Sequence, residues 1–240
     1  MVKRPRTAGI LLIVFTALVF AASALTGFLW VDGGPAEPTR PVDAPPVEEP
    51  LVDDHETEFV VYRLVPQEST ASFVVDEILR GEPNTVTGIT DQLDGSVLLS
   101  FESGAIVIAP FEINLRTLRT DDELRDRTIR SRILQSSRDE YEFSVFSPQE
   151  VTGMPDSLAV GDQLELQVSG DLQIRDVIRE VVFAMEILIE SQDRIHITAT
   201  TDVSWNDFDI TVPYVGGDSI VSAVSDTVEL RLDIVATTGG

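Results

Sequence analysis

The side chains able to carry out covalent or metal chemistry are few in this 240-residue sequence, and their spacing fits none of the common sites. There is no cysteine, which excludes thiol nucleophiles, thiolate metal sites, disulfides and a lipid-modified lipoprotein cysteine. His55 and His196 are the only histidines, too few for a multi-histidine metal centre. Lys3 is the only lysine, so Schiff-base and lysine general-base chemistry are unavailable downstream of it. Neither G-x-S-x-G, G-x-x-x-x-G-K nor H-E-x-x-H occurs. A serine hydrolase would need one of the histidines as its base. His55 falls in a proline-rich acidic stretch, and His196 on the polar face of an alternating segment, where a lone imidazole is solvated. Asp202, Asp207 and Asp209 gather around Trp205, but a calcium loop wants tighter spacing and a turn glycine. Carboxylate pairs of the glycosidase kind stay open, because acids are abundant and chain spacing does not fix their distance in space. The expectation is a protein with no catalytic residues and no metal site.

Binding chemistry is better represented. Arg116, Arg119, Arg125, Arg127, Arg130, Arg132 and Arg138 crowd one window, accompanied only by Asp121, Asp122, Glu123 and Asp126. Two readings stand. The arginines form a helix held by its own ion pairs, or unpaired ones, Arg116, Arg119 and Arg132, meet an anionic head group at a pocket mouth.

The elements that must position these groups follow from hydropathy. Leu164, Leu166, Val168, Gly170, Leu172 and Ile174 alternate with polar residues from Gln163 to Gln173, which reads as a half-buried strand. The period of two recurs at Val181–Ile189, Ile195–Trp205, Val228–Ala236 and Tyr141–Val145, with shorter runs near 59–65, 69–75, 84–90, 96–101 and 105–115. Eight or more strands with one apolar face each predict an antiparallel barrel or deep sandwich. Residues 120–135 break the period. Thr120 or Asp121 can cap a helix, and Asp121–Arg125, Glu123–Arg127 and Asp126–Arg130 are i,i+4 pairs in acid-first order. A single helix crossing between strands is predicted there.

The charge is distributed unevenly. Against 41 acids stand 17 bases, a net of −24, which argues against nucleic acid as a partner. Every acid lies after residue 31, while Lys3, Arg4 and Arg6 precede 24 uncharged residues, Ala8–Val31. That length exceeds a bilayer's hydrocarbon core of roughly 30 Å. Residues 1–31 therefore read as a transmembrane signal anchor with a cytoplasmic N-terminus, or as a signal peptide cleaved after Ala24 in Ala22-Ser23-Ala24. The first makes a single-pass membrane protein with an extracytoplasmic domain; the second makes a secreted or periplasmic one. Residues 32–57 hold six of the thirteen prolines and eight acids, the composition of a disordered acidic linker. At ~3.1 Å per residue it would reach roughly 80 Å. The folded domain is expected at 58–240.

Several stretches, taken in order, resemble the YceI-like family of polyisoprenoid-binding, lipocalin-like domains. Tyr62-Arg63-Leu64 with Ser69-Thr70-Ala71-Ser72-Phe73 is similar to the opening strand pair, and Val86-Thr87-Gly88 with Asp94-Gly95-Ser96-Val97 to the next hairpin. Leu124-Arg125-Asp126 resembles the arginine-aspartate signature, Tyr141-Glu142-Phe143 the later aromatic motif, and Val168-Ser169-Gly170-Asp171-Leu172-Gln173-Ile174-Arg175 the long hairpin. Asp176 stands for a turn glycine, Gln173 and Ile178 for threonines, and Glu142 near a proline; Val203–Phe208 keeps the aspartate-phenylalanine pair without its arginine.

The resemblance implies an all-β fold, an extended antiparallel lipocalin-like β-barrel with one crossing α-helix, around an elongated apolar cavity. The implied ligand is an isoprenoid lipid or quinone, with no other cofactor. Phe73, Val75, Val97, Leu99, Ile113, Leu134, Tyr141, Phe143, Leu172, Ile174, Phe183 and Met185 are the expected lining. The alternative is a cell-envelope module with a filled core and an acidic binding surface; a hydrolase using carboxylates ranks last. Oligomeric state, a dimer included, stays open.

Overall fold

The computed structural model describes residues 33–45, 58–213, 215–216 and 219–239. Residues 1–31, where the anchor or signal peptide is expected, lie outside the described residues. No helix among the described residues is long and apolar enough to cross a membrane.

Alternation produces strands in each region where it was read, except that Tyr141 and Trp205, read as strand residues, fall in 3-10 turns next to β8 and β11. The strands are β1 (Val60–Leu64), β2 (Thr70–Leu79), β3 (Glu82–Thr90), β4 (Leu93–Asp94), β5 (Ser96–Leu99), β6 (Ile106–Ile108), β7 (Phe111–Asn114), β8 (Phe143–Thr152), β9 (Gln163–Ile174), β10 (Val177–Ile189), β11 (Arg194–Ser204), β12 (Val221–Val224) and β13 (Thr227–Thr237). On β9, Leu164, Leu166, Val168, Leu172 and Ile174 are buried, because successive side chains point to opposite faces.

All thirteen strands belong to one curled antiparallel sheet, ordered β4-β7-β8-β9-β10-β11-β13-β1-β5-β6, with β2 joining β13 to β3 and β12. One end of this order is continuous along the chain with a strand near the other end. β4 and β5 are pieces of one stretch interrupted at Gly95, with β4 paired to β7 and β5 to β1. A Cβ at Gly95 would sit 2.3 Å from the Phe111 ring, so glycine is what lets the stretch pass over that ring.

The single predicted helix is shorter than expected. Helix α1 (Glu123–Thr128) is capped by Asp122, whose carboxylate accepts from the N–H groups of Leu124 and Arg125. A π turn, Ile129–Ile133, follows, closed by Leu134 N–H to the Ile129 carbonyl at 2.8 Å. The wider turn buries both Ile129 and Ile133. Of the expected pairs, Asp121–Arg125 and Glu123–Arg127 form. Asp126 instead accepts from the backbone and hydroxyl of Thr120, which fastens the helix to the preceding loop.

The interior is divided. Ile187, Ile189, Ile195, Ile197 and Ile234 have no exposed surface and, with Tyr62, Leu99 and Met185, form the part of the core nearest the β10–β11 turn, away from the cavity lining. The other end, beyond Phe183 on β10 and Leu232 on β13, encloses free space.

Residues 33–45 differ from the expected free tether. They lie against the domain in one compact unit with it, held at Thr39, Arg40, Asp43 and Ala44. Residues 46–57 of the same stretch are outside the described residues.

Candidate functional site

The free space is a cavity of about 480 Å³. Its walls come from the inward rows of β2 (Ala71, Phe73, Val75), β9 (Leu172, Ile174) and β13 (Val228, Leu230, Leu232), closed by Ile129, Ile133 and Leu134 of the helical segment. Phe183 of β10 completes one wall, edge-on to Phe146 with ring centroids 4.8 Å apart. Close-packed interiors leave few voids larger than a water molecule. An apolar space of this size is in the range of small-molecule sites.

Arg175, next to Ile174 of the lining, ties three of the lining segments together. It sits in the β9–β10 turn with φ +56°, and its guanidinium donates to the carbonyls of Ile133, Phe208 and Asp209 at 3.4, 3.0 and 2.8 Å. It is buried, and among the described residues it has no carboxylate partner and its Nε meets no acceptor.

The mouth is built from exposed lining residues of three segments: Arg80 at the β2–β3 turn, Asp122 and Leu124 at the start of α1, and Val215 and Ile220 in the loop before β12. Arg80 N–H donates to the Ile220 carbonyl at 2.7 Å, which joins the first segment to the third. Arg125 joins the helix to β2 through Glu77 at 3.4 Å, and Glu77 also accepts from Asn84. The Arg80 guanidinium has no ion-pair or hydrogen-bond partner among the described residues. Leu124 and Ile220 are 58% and 60% exposed, so the apolar lining continues out to the rim.

Phe73, Val75, Ile113, Leu134, Leu172, Ile174 and Phe183 are brought together on the cavity wall. Val97, Leu99 and Met185 are not; they are buried in the core away from the cavity lining. Tyr141 and Phe143 also fall outside the lining. Their rings lie under guanidinium groups, Arg138 at 4.6 Å and Arg40 at 3.8 Å. Alternation identifies an inward face but not how far along the strand the interior is filled.

The head-group candidates Arg116, Arg119 and Arg132 do not line the cavity. Arg116 is 1% exposed and fully engaged. It meets Glu142 at 3.1 Å and Asp139 at 2.9 Å, and donates to the carbonyls of Glu37, Ser136 and Ser137. Arg119 pairs through its backbone with Ile89, and Arg132 lies within the π turn with its side chain exposed. The arginines that border the cavity are Arg80, Arg125 and Arg231, of which Arg231 is paired with Glu229. Arg125 lies in the Leu124-Arg125-Asp126 motif, a signal available in the sequence; Arg80 stands alone in its turn, with none.

No group of three or more metal-ligating side chains gathers among the described residues. His196 pairs with Asp233 across β11 and β13 at 2.7 Å, on the outer face. The cavity offers burial for an apolar chain and guanidinium groups at its opening, a constellation for binding.

A family model described as the YceI-like domain matches residues 62–236. None of the curated proteins matches the sequence. Among solved structures, a polyisoprenoid-binding domain from Saccharophagus degradans, described as implicated in plant cell wall breakdown, is 17% identical, with a TM-score of 0.54 over 73% of this chain and 97% of that one. A YceI protein from Campylobacter jejuni is 14% identical, with a TM-score of 0.50 over 62% of this chain and 83% of its own.

Proposed function

The chain belongs to the YceI-like domain family, and from that premise we propose that it is a lipid-binding protein holding an isoprenoid chain or quinone tail in the half-filled interior of its curled sheet. The observation that carries this reading is the cavity itself, about 480 Å³ of space bounded by apolar side chains and opening at an apolar rim. Unfilled apolar space forfeits dispersion contacts, and a bound hydrocarbon restores them while gaining about 0.8 kcal/mol per buried CH₂. The chain lies between Phe183 and the helical segment, with its polar end toward Arg80 and Arg125. Binding follows from shape and burial, without covalent chemistry.

The same reading includes export. Lys3, Arg4 and Arg6 ahead of 24 uncharged residues orient the N-terminus to the cytoplasm and the domain to the outside, by anchor or by cleaved signal. Fractionation into medium, envelope and cytoplasm checks that half of the proposal: the chain is expected outside the cytoplasm, and a cytoplasmic chain overturns export.

Native mass spectrometry of the chain after exposure to a polyprenyl phosphate or a long-tailed quinone tests the binding. One discrete adduct per chain is expected. An unliganded mass alone, after exposure to both, overturns the reading.

A further inference from the structure

The matched family domain begins at residue 62, yet the chain is already seated on this domain from residue 33. The seat has an unusual composition. Asp94 of β4 and Glu112 of β7 are direct cross-strand partners, and Glu112 is 5% exposed. Like charges placed opposite each other destabilise a sheet, and a buried carboxylate without a partner costs several kcal/mol. A third acid, Glu142, with no exposed surface, belongs to the same cradle.

The segment 33–45 supplies what these acids need. Arg40 meets Glu112 with two parallel contacts of 2.7 Å, the strong bidentate form of the pair. The backbone N–H of Asp43 donates to Glu112 at 2.9 Å, and that of Ala44 to Asp94 at 2.9 Å. Thr39 donates its N–H and its hydroxyl to the two oxygens of Glu142, at 2.9 and 2.6 Å. From the domain's own side, Glu142 has Arg116 and Asn114, whereas Arg40 is the only cation on Glu112 among the described residues. The Arg40 guanidinium also covers the Phe143 ring.

The start of the segment reaches the cavity wall from behind. The Gly33 carbonyl accepts from Arg130 Nε at 3.0 Å, and a Cβ on Gly33 would lie 2.7 Å from Arg127 Cγ. Arg127 and Arg130 belong to the helical segment whose other side, Leu124, Thr128, Ile129 and Ile133, lines the cavity. That segment is one turn of α-helix and one of π-helix. A helix so short has little stability of its own, so contacts from outside matter to its position.

We propose that residues 33–45 are a latch: they occupy a peptide-binding cradle formed by Asp94, Glu112 and Glu142 and brace the helical wall of the cavity from outside, so that latch seating and ligand occupancy favour one another. The coupling to a ligand rests on the binding function proposed above; the cradle and the bracing do not. By linkage, whatever the latch gives to ligand affinity, the ligand returns to latch seating.

The test uses the full chain, comparing the wild type with Arg40→Ala and with Arg194→Ala, a control that removes an exposed arginine paired to Glu68 and Glu190. Amide hydrogen exchange is followed over 33–45 and 123–134, together with the dissociation rate of cis-parinaric acid, a linear apolar fluorophore. Arg40→Ala is expected to speed exchange in both segments by roughly tenfold, the effect of losing one charge-assisted bond, and to release the probe several-fold faster than the control. Thr39→Val, which removes only the hydroxyl contact to Glu142, should shift the same readouts in the same direction by less, and serves if Arg40→Ala does not fold. Wild-type protection over 33–45 in both variants overturns the cradle. Faster exchange in 33–45 with control-level behaviour in 123–134 overturns the bracing, and unchanged probe release overturns the coupling. A wild type that takes up no probe overturns the proposed function, and the exchange comparison still decides the latch.

Discussion

Arg125 of α1 and Glu77 of β2 meet at 3.4 Å across the mouth of the cavity, joining the helical wall to the sheet. The pair is asymmetric. The Glu77 side chain is 8% exposed and that of Arg125 23%, and Arg125 has a second acid in Asp121. Removing Arg125 therefore leaves a buried carboxylate with only the neutral amide of Asn84, whereas removing the Glu77 charge leaves an arginine that is still paired.

Arg125→Ala is expected to cost about 1–3 kcal/mol, the penalty for a buried polar group losing its partner. Glu77→Gln is expected to cost less, because Asn84 still donates to the side-chain oxygen. Urea unfolding of both variants checks the order. Equal losses would mean that Asp121 and Asn84 do not share the charge as the geometry implies. Unchanged ligand retention in both would make the pair a structural tie and no part of a head-group site.

The divided interior gives a contrast between two enlargements. Val75→Phe projects into the cavity and is expected to hold or raise the melting temperature while lowering the capacity for an apolar ligand. Ile187→Phe enters the part of the core away from the cavity lining, where overpacking typically costs about 1–3 kcal/mol. Thermal unfolding with a dye-binding titration reads both; similar losses would mean that both halves are packed alike.

Arg175 is expected to be a stability residue whose loss reaches the cavity. Arg175→Gly suits the left-handed backbone of that turn but removes three donations to carbonyls. A net destabilisation of about 2 kcal/mol or more is expected, since bonds from a charged donor are worth roughly 1.5–3 kcal/mol each against about 1 kcal/mol of backbone relief. A Gly variant as stable as the wild type would show that the clamp contributes nothing.

Tyr62 sets an alkaline limit. Burial, reinforced by the negative charge of Asp193, raises its phenol above the ordinary tyrosine value, and its hydroxyl donates to the Gln192 carbonyl at 2.7 Å. A pKa raised in the folded state stabilises the fold below the unfolded value of about 10 and is lost as pH climbs from there through the folded value. Stability should fall above about pH 10, the unfolded tyrosine value, and Tyr62→Phe should flatten that fall while costing about 0.5–1.5 kcal/mol at neutral pH. Urea midpoints between neutral and alkaline pH measure it; an identical alkaline slope in the variant would assign the loss to another group.

The sequence by itself determined which side of each strand faces inward. Gln163–Ile174 was legible as β9 to the residue, because the pleat imposes its period of two locally. The family motifs were legible for the same reason, since turn residues and short spacings act within a few positions. The tertiary structure decided which inward residues border free space. Phe183 lines the cavity and Met185, two positions on, is buried away from the lining. Nothing in their spacing separates them, because filling depends on how far opposite walls stand apart. It also decided the fate of the charges. Arg116, read as a candidate for ligand, is consumed by Glu142 and Asp139. Glu142, noted only as standing near an expected proline, holds Thr39 from 103 positions away. Composition marked residues 33–45 as a free tether, since prolines and acids cannot bury themselves. What it could not register is that Glu112, 72 residues from Arg40, offers that segment a partner, and a contact of that range exists only once the sheet has curled to present it.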